Sequence, residues 1–265
     1  MYNLLISLAA GLAVTLAVRF GTNVGWVGSI LPGMLALGVA YFLLARRTWK
    51  QLEALMGTVQ KELMTQPPRI DKAVATLQGG FALAPWQFLV ASQLHAQIGT
   101  LEYVREQYAK AQPHLEKAFS RAGAARAMLA LVYWRKKDLA SMRRIFESAT
   151  KDNKKQGILF ATWAWVEEKE GRHDEAISIL ARGLKANPSD EKLKSAAQAL
   201  QNDKRLKLGK LYGEQWFQFH LEQMPPQMIT PPGGRGGRRV IYQRRGAPRG
   251  GKAPGTALAF PTPRR

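Results

Sequence analysis

The 265-residue chain contains no cysteine, which excludes disulfides, zinc ribbons and thiol nucleophiles. It leaves the redox compartment open, because a protein without thiols is compatible with any of them. Acid is missing from both ends. Residues 1–45 hold one base, Arg19, and no acid, while residues 223–265 hold nine Lys or Arg and no acid. Histidine is scarce: the four, at 95, 114, 173 and 220, lack metal-ligand spacing. His173, beside Asp174 and Glu175, reads as a solvent-exposed turn residue, and Glu167/Glu168 as part of a charged helix face. The chain has no Gly-Ser-Gly elbow and no Ser/His/Asp grouping. Residues 246–253 nearly spell a phosphate-binding loop, but Ala253 stands where a hydroxyl must reach magnesium, and no strand-loop-helix context surrounds it. The expectation is therefore a protein that is not an enzyme and holds no cofactor and no metal.

Long apolar runs are what the N-terminus does have. The first extends from Tyr2 to Val18 and ends on Arg19 and Phe20; the second covers 27–45, nineteen residues without a charge. At ~1.5 Å per residue, that second run is about the length a bilayer core requires. The first lacks the basic n-region and small-residue cleavage site of a signal peptide. Residues 2–20 and 27–45 thus read as a two-helix transmembrane hairpin, 1–45, with Pro32 tolerated in the first turns of its second helix. Ala9, Ala13 and Ala17 recur every four residues and offer a close-packing face toward Ala36 and Ala40. Arg46, Arg47 and Lys50 flank the second run, with Tyr41 and Trp49 as interfacial aromatics, whereas the connecting loop has only Arg19. The positive-inside rule then places both termini and everything after residue 46 in the cytoplasm; the expected location is a bacterial inner (cytoplasmic) membrane.

The middle of the chain repeats itself. With Gly157 as the first residue of a 34-residue frame, position 7 is Trp163, 8 is Ala164, 15 is Gly171, 20 is Ala176, 24 is Leu180, 27 is Gly183 and 32 is Pro188. The preceding frame gives Leu129, Ala130, Lys137, Met142, Phe146 and Ala149, with Tyr133 at position 11. Small residues at 8, 20 and 27 let two antiparallel helices approach, large ones at 7, 11 and 24 fill the seam, Gly171 permits the turn and Pro188 stops the second helix. The segment EKEGRHDEAISILARGLKANPSD resembles the tetratricopeptide repeat family. Glu167 at position 11 and Arg126 at position 4 depart from the pattern. A looser unit follows Pro85, with Gly99 read as its turn and Val104, Tyr108 and Ala111 after it. Before that, Ala73, Leu77 and Gly80 lie on a second helix whose partner is the stretch from about Arg46 to Met64. The reading is an α-solenoid over 46–201, closed by a capping helix over 189–201.

That resemblance implies an elongated concave face built from the first helix of each unit, binding peptides or helices of other proteins. Its groove positions are Trp165, Glu168 and Lys169 in one unit, Leu131, Trp134 and Arg135 in the one before, and Trp86 and Gln93 in the weaker one. Aromatic and Arg side chains are enriched at binding hot spots, and the same tryptophans also suit a seam between repeats.

Residues 204–222 read as one further helix, within 202–223, whose Tyr212, Trp216 and Phe219 fall on one face. The remainder, 224–265, is rich in Pro, Gly and Arg, has no periodicity and is expected to be disordered. Its bases include Arg235, Arg238, Arg239, Arg244, Arg245, Arg249 and Lys252, nearly half of the net charge of +20 falling in this last sixth of the chain. The fold class is therefore all-α: a transmembrane hairpin, a tetratricopeptide-like solenoid and a basic tail. The expected function is a membrane-anchored scaffold or adaptor binding a protein partner through its groove. The alternative is a membrane-tethered binder of nucleic acid or anionic lipid acting through the tail.

Overall fold

Two apolar helices open the chain in the computed structural model of the protein, which describes residues 1–22 and 25–223. Helix α1 (Tyr2–Gly21) and helix α2 (Trp26–Leu63) are each long and apolar enough to cross a membrane. They pack along one another, but not through the alanines. Ala9, Ala13 and Ala17 face outward, and the buried face of α1 is Asn3, Ser7 and Gly11, matched on α2 by Ser29, Gly33 and Thr48. A Cβ on Gly11 would lie 2.9 Å from the Gly33 carbonyl, and one on Gly33 would lie 2.9 Å from the Gly11 carbonyl. The backbones meet more closely than an alanine methyl permits. The hydroxyls in this seam are satisfied by their own helices, Ser7 on the Leu4 carbonyl and Thr15 on the Gly11 carbonyl, both at 2.9 Å.

Helix α2 has 38 residues and, at ~1.5 Å per residue, carries its axis well past the apolar stretch. Its distal half packs against α3 (Ile70–Gly79), burying Leu52 and Val59 on Ala73, Val74 and Leu77. A 3-10 turn (Gly80–Leu83) leads into α4 (Val90–Val104). Then follow α5 (Tyr108–Glu116), α6 (Gly123–Arg135), α7 (Leu139–Asp152), α8 (Gly157–Lys169), α9 (His173–Ala186) and α10 (Glu191–Gln201). Helices α4 and α5, α6 and α7, and α8 and α9 pack as hairpins, and α4, α6, α8 and α10 touch in that order, forming what we term the A layer. Among the described residues there is no strand.

The 34-residue period is written into the backbone. Helices α6, α8 and α10 begin at residues 123, 157 and 191, and α7 and α9 at 139 and 173. Asn153 closes α7 by donating to the Ser120 and Ala149 carbonyls, and Asn187 closes α9 by donating to the Lys154 and Gly183 carbonyls. All four A-layer helices end in the same turn. The second residue after the helix adopts positive φ (Glu106 62°, Lys137 64°, Gly171 76°, Asp203 52°), and the next N–H reaches back five residues, as in Gln107 to Glu102 and Arg172 to Glu167. This is a Schellman closure, which satisfies carbonyls the helix end would leave orphaned. Only one of the four uses glycine. The turn of the weaker unit is therefore at Glu106 and not at Gly99, which lies inside α4 where a Cβ would come within 2.8 Å of the Leu115 side chain. Gly99 is the small close-approach residue of its hairpin, the counterpart of Ala130 and Ala164.

Residues 204–222 do not form one helix. Two short ones, α11 (Leu208–Tyr212) and α12 (Glu214–Phe217), are broken at Gly213, whose φ of 58° and ψ of −131° suit glycine alone. The break turns Tyr212, Trp216 and Phe219 inward instead of along one straight stripe, and all three are buried.

Candidate functional site

Residues at or near the C-terminal ends of the A-layer helices converge on the segment after α10. Tyr103 of α4 donates its hydroxyl to the Phe219 carbonyl at 2.8 Å, and Arg135 of α6 donates to the His220 carbonyl at 3.0 Å. Burial pushes the Tyr103 phenol well above its ordinary value, against the pull of Arg135, so it stays a donor. Trp165 of α8 meets Trp216 edge-on, ring centres 5.5 Å apart, and meets Trp134 of α6 in the same manner at 5.9 Å. Arg135 lies over the Tyr108 ring and Lys169 over the Trp165 ring. Trp216 and Phe219 have no exposed surface, and both belong to the same apolar core as the A layer. Residues 206–221 of the chain itself occupy the C-terminal part of the face read as an open groove.

The eight groove positions therefore separate. Leu131 and Trp165 are buried core, Trp134 and Glu168 are half-buried, Arg135 and Lys169 are exposed, and Gln93 is exposed at the opposite, N-terminal end of α4. The Trp134 indole donates to Glu170 at 2.7 Å, and Glu168 sits 2.9 Å from His173. Trp86 stands apart from the rest, beside the first residues of α1. The tail bases Arg235, Arg238, Arg239, Arg244, Arg245, Arg249 and Lys252 lie outside the described residues.

Two clusters escaped the sequence reading. Glu167 is not on a charged surface but completely enclosed. It accepts from Arg143 Nε and Nη2 at 2.8 and 3.0 Å and from the Trp163 indole at 3.1 Å, with Arg172 at 3.5 Å. Burial alone would raise its carboxyl, but Arg143, Trp163 and Arg172 together hold it below the usual carboxylate range. Tyr133 occupies the equivalent place one unit earlier and spans the same seam by donating to Glu116 at 2.8 Å. The signal was present in the register: position 11 faces the preceding hairpin in both of these units, so a charge there calls for a partner on that hairpin. The second cluster is His95 and His114, whose Nδ1 atoms are 3.0 Å apart across α4 and α5, next to Phe81. Misplacing the turn at Gly99 hid this pairing.

Among the described residues no group of three His, Cys, Asp or Glu side chains is arranged to hold a metal ion. No protein-family model matches the chain, and no curated protein or solved structure matches it either. The functional reading rests on the residues themselves.

Proposed function

We propose that the protein is a membrane-anchored adaptor of the tetratricopeptide-like kind, holding a stack of helical hairpins on the cytoplasmic side to capture a protein partner. The observation that carries this reading is the A layer's accommodation of an aromatic-anchored segment. Carbonyls of Phe219 and His220 are held by Tyr103 and Arg135, and Trp216 is wedged against Trp165. A surface that binds one chain segment through ring contacts and side-chain donors to its backbone carbonyls has the chemistry to bind another beside it. With residues 206–221 in place, the surface left for a partner is the rim of Trp134, Arg135, Glu168 and Lys169. That rim carries more base than acid and suits an acidic segment. Helix α2 supports the anchoring role, since one continuous helix joins the apolar hairpin to the first helical pair.

The test is a detergent-solubilised pull-down with the full chain, a form ending at residue 223, and the rim variants Trp134→Ala and Lys169→Glu, each with and without nuclease. Circular dichroism serves as the check on folding. Proteins retained by the full chain and the shortened form, insensitive to nuclease and lost with the rim variants, support the adaptor. Capture that disappears with residues 224–265 or with nuclease overturns it in favour of a tethered nucleic-acid binder.

A further inference from the structure

The loop between the 3-10 turn and α4 has an exposure pattern found nowhere else in the hairpin stack. Beyond Trp49, the large apolar side chains that are exposed among the described residues are Met64, Trp86, Phe88 and Leu89. Three of the four fall within four residues of sequence, and Phe88 is 64 % exposed. Leu89 adopts φ 69°, a left-handed conformation a branched apolar residue rarely takes, so the loop is not simply a relaxed surface turn. A contiguous apolar patch of this kind on an otherwise charged surface marks a site that something covers.

What covers it follows from where the loop is tied. The first N–H groups of a helix have no partner within it. In α1 they are taken by this loop: the N–H of Tyr2 donates to the Pro85 carbonyl at 2.9 Å and that of Asn3 to the Trp86 carbonyl at 3.3 Å. The Met1 amine also contacts the Pro85 carbonyl, and the Tyr2 and Trp86 rings meet edge-on at 5.5 Å. Asn3 Nδ2 donates to Thr48 at 3.0 Å, which sets residue 48 of α2 level with the start of α1. Arg46, Arg47, Trp49 and Lys50 are exposed around that level. Helix α1 has 20 residues, about 30 Å, the thickness of a hydrocarbon core, so both of its ends fall at the interfaces when it spans. A loop hydrogen-bonded to the first N–H groups of such a helix lies at the interface with it.

We propose that the Pro85–Leu89 loop is a second, monotopic membrane contact, with Trp86, Phe88 and Leu89 lowered into the headgroup and upper acyl region beside the hairpin. This rests on the reading that α1 and α2 span the bilayer. The occupant is the lipid interface and not a protein, because the patch continues the aromatic and basic girdle of Tyr2, Trp49, Arg46, Arg47 and Lys50 at one level. Its consequence is mechanical. The hairpin stack is held to the membrane at two places, α2 and this loop, and its orientation to the bilayer is set.

The absence of cysteine makes the test direct, since a single introduced thiol is the only site of labelling. The full chain carrying Phe88→Cys, Leu35→Cys or Ser195→Cys is labelled with an environment-sensitive nitrobenzoxadiazole dye and reconstituted in phosphatidylcholine/phosphatidylglycerol vesicles. Quenching is read with nitroxide placed on the headgroup, high on the acyl chain or near its end. At residue 88 the expected result is a blue-shifted emission, quenched most by the headgroup and upper-chain nitroxides. At residue 35, exposed on α2, the deep nitroxide quenches most, and at residue 195 on α10 none does. Residue 35 quenched with residue 88 in a water-like environment overturns the loop contact alone. Residue 35 unquenched overturns the spanning reading and the loop contact with it.

Discussion

The two ends of the A layer are finished in opposite ways. At the far end, the C-terminal parts of α4, α6 and α8 are roofed by residues 206–221, and Trp216 and Phe219 are completely withdrawn from solvent. At the near end, the approach to α4 leaves Trp86, Phe88 and Leu89 exposed. A first-helix face rich in aromatics needs a cover, because apolar area contributes about 25 cal/mol per Å² when removed from water and nothing when left exposed. The chain supplies that cover itself at one end. At the other, under the proposal above, the bilayer supplies it. Aromatic side chains are core in the one place and, on that proposal, membrane interface in the other.

The sharpest way to break the comparison is Trp216→Ala. If the roof is core, this variant loses roughly 3–5 kcal/mol, the usual range for removing a buried tryptophan, and the melting temperature in detergent falls accordingly. If Trp216→Ala melts like the parent chain, the segment is a loosely held ligand of the face, and the two ends differ less than their exposure suggests. Second in size is Glu167→Ala, in the seam between α8 and the preceding hairpin. It leaves the buried Trp163 indole donor without its acceptor and frees Arg143 toward solvent, and a stranded buried donor costs about 2 kcal/mol. The sign with pH also follows. A carboxyl held low in the folded state stabilises at neutral pH, and that contribution is lost as pH falls through its depressed folded value. Thermal melts of parent and variant should therefore converge on acidification below the ordinary carboxylate range.

Those two residues also mark how far the sequence could be read. The helical class, the two apolar runs and the register of the α6–α9 hairpins were visible because each depends on local pattern: uninterrupted apolar length, or small residues recurring at fixed positions. What failed depended on partners distant in sequence. Gly99 looked like a turn because glycine usually is one, yet the turn fell on Glu106, a residue with no preference for positive φ, held there by the bonds of the Schellman closure. Glu167 looked solvated because Arg143, 24 residues earlier, could not be placed against it. The alanine stripe of α1 looked like a packing face because alanine is small, but a glycine pair allowed a closer crossing two residues away. The roof was half legible: the spacing of Tyr212, Trp216 and Phe219 pointed to burial, while Gly213, which folds them over the A layer, was read through as helix.

At the open end a smaller effect is expected from Trp86→Ala. Trp86 is 42 % exposed; its carbonyl accepts from the first turn of α1, and its ring adds one edge contact with Tyr2. In detergent the variant should melt within about 1 kcal/mol of the parent. A larger loss would mean that the ring braces α1 through Tyr2, and the near end would then be a protein core like the far one.

The gentlest probe is the histidine pair under that same end. With their Nδ1 atoms 3.0 Å apart, one ring must donate and the other accept, so at most one can carry that proton and keep the bond. Burial lowers both from the ordinary 6.5; for His95 the neighbouring His114 and Lys117 lower it further, while at His114 Glu102 pulls upward and Lys117 downward. A histidine depressed in the folded state binds its proton more readily when unfolded. The stability it contributes is therefore full above about pH 6.5 and lost as pH falls toward the folded value. The loss is shallow, because both rings keep part of their surface in water. The check is the slope of melting temperature between pH 7 and pH 5.5 for the parent chain and for His114→Gln, which keeps a polar partner for His95 without a second titrating ring. The parent should fall more steeply. Equal slopes would mean that solvent already screens the pair, and that the near end tolerates charge as an ordinary surface does.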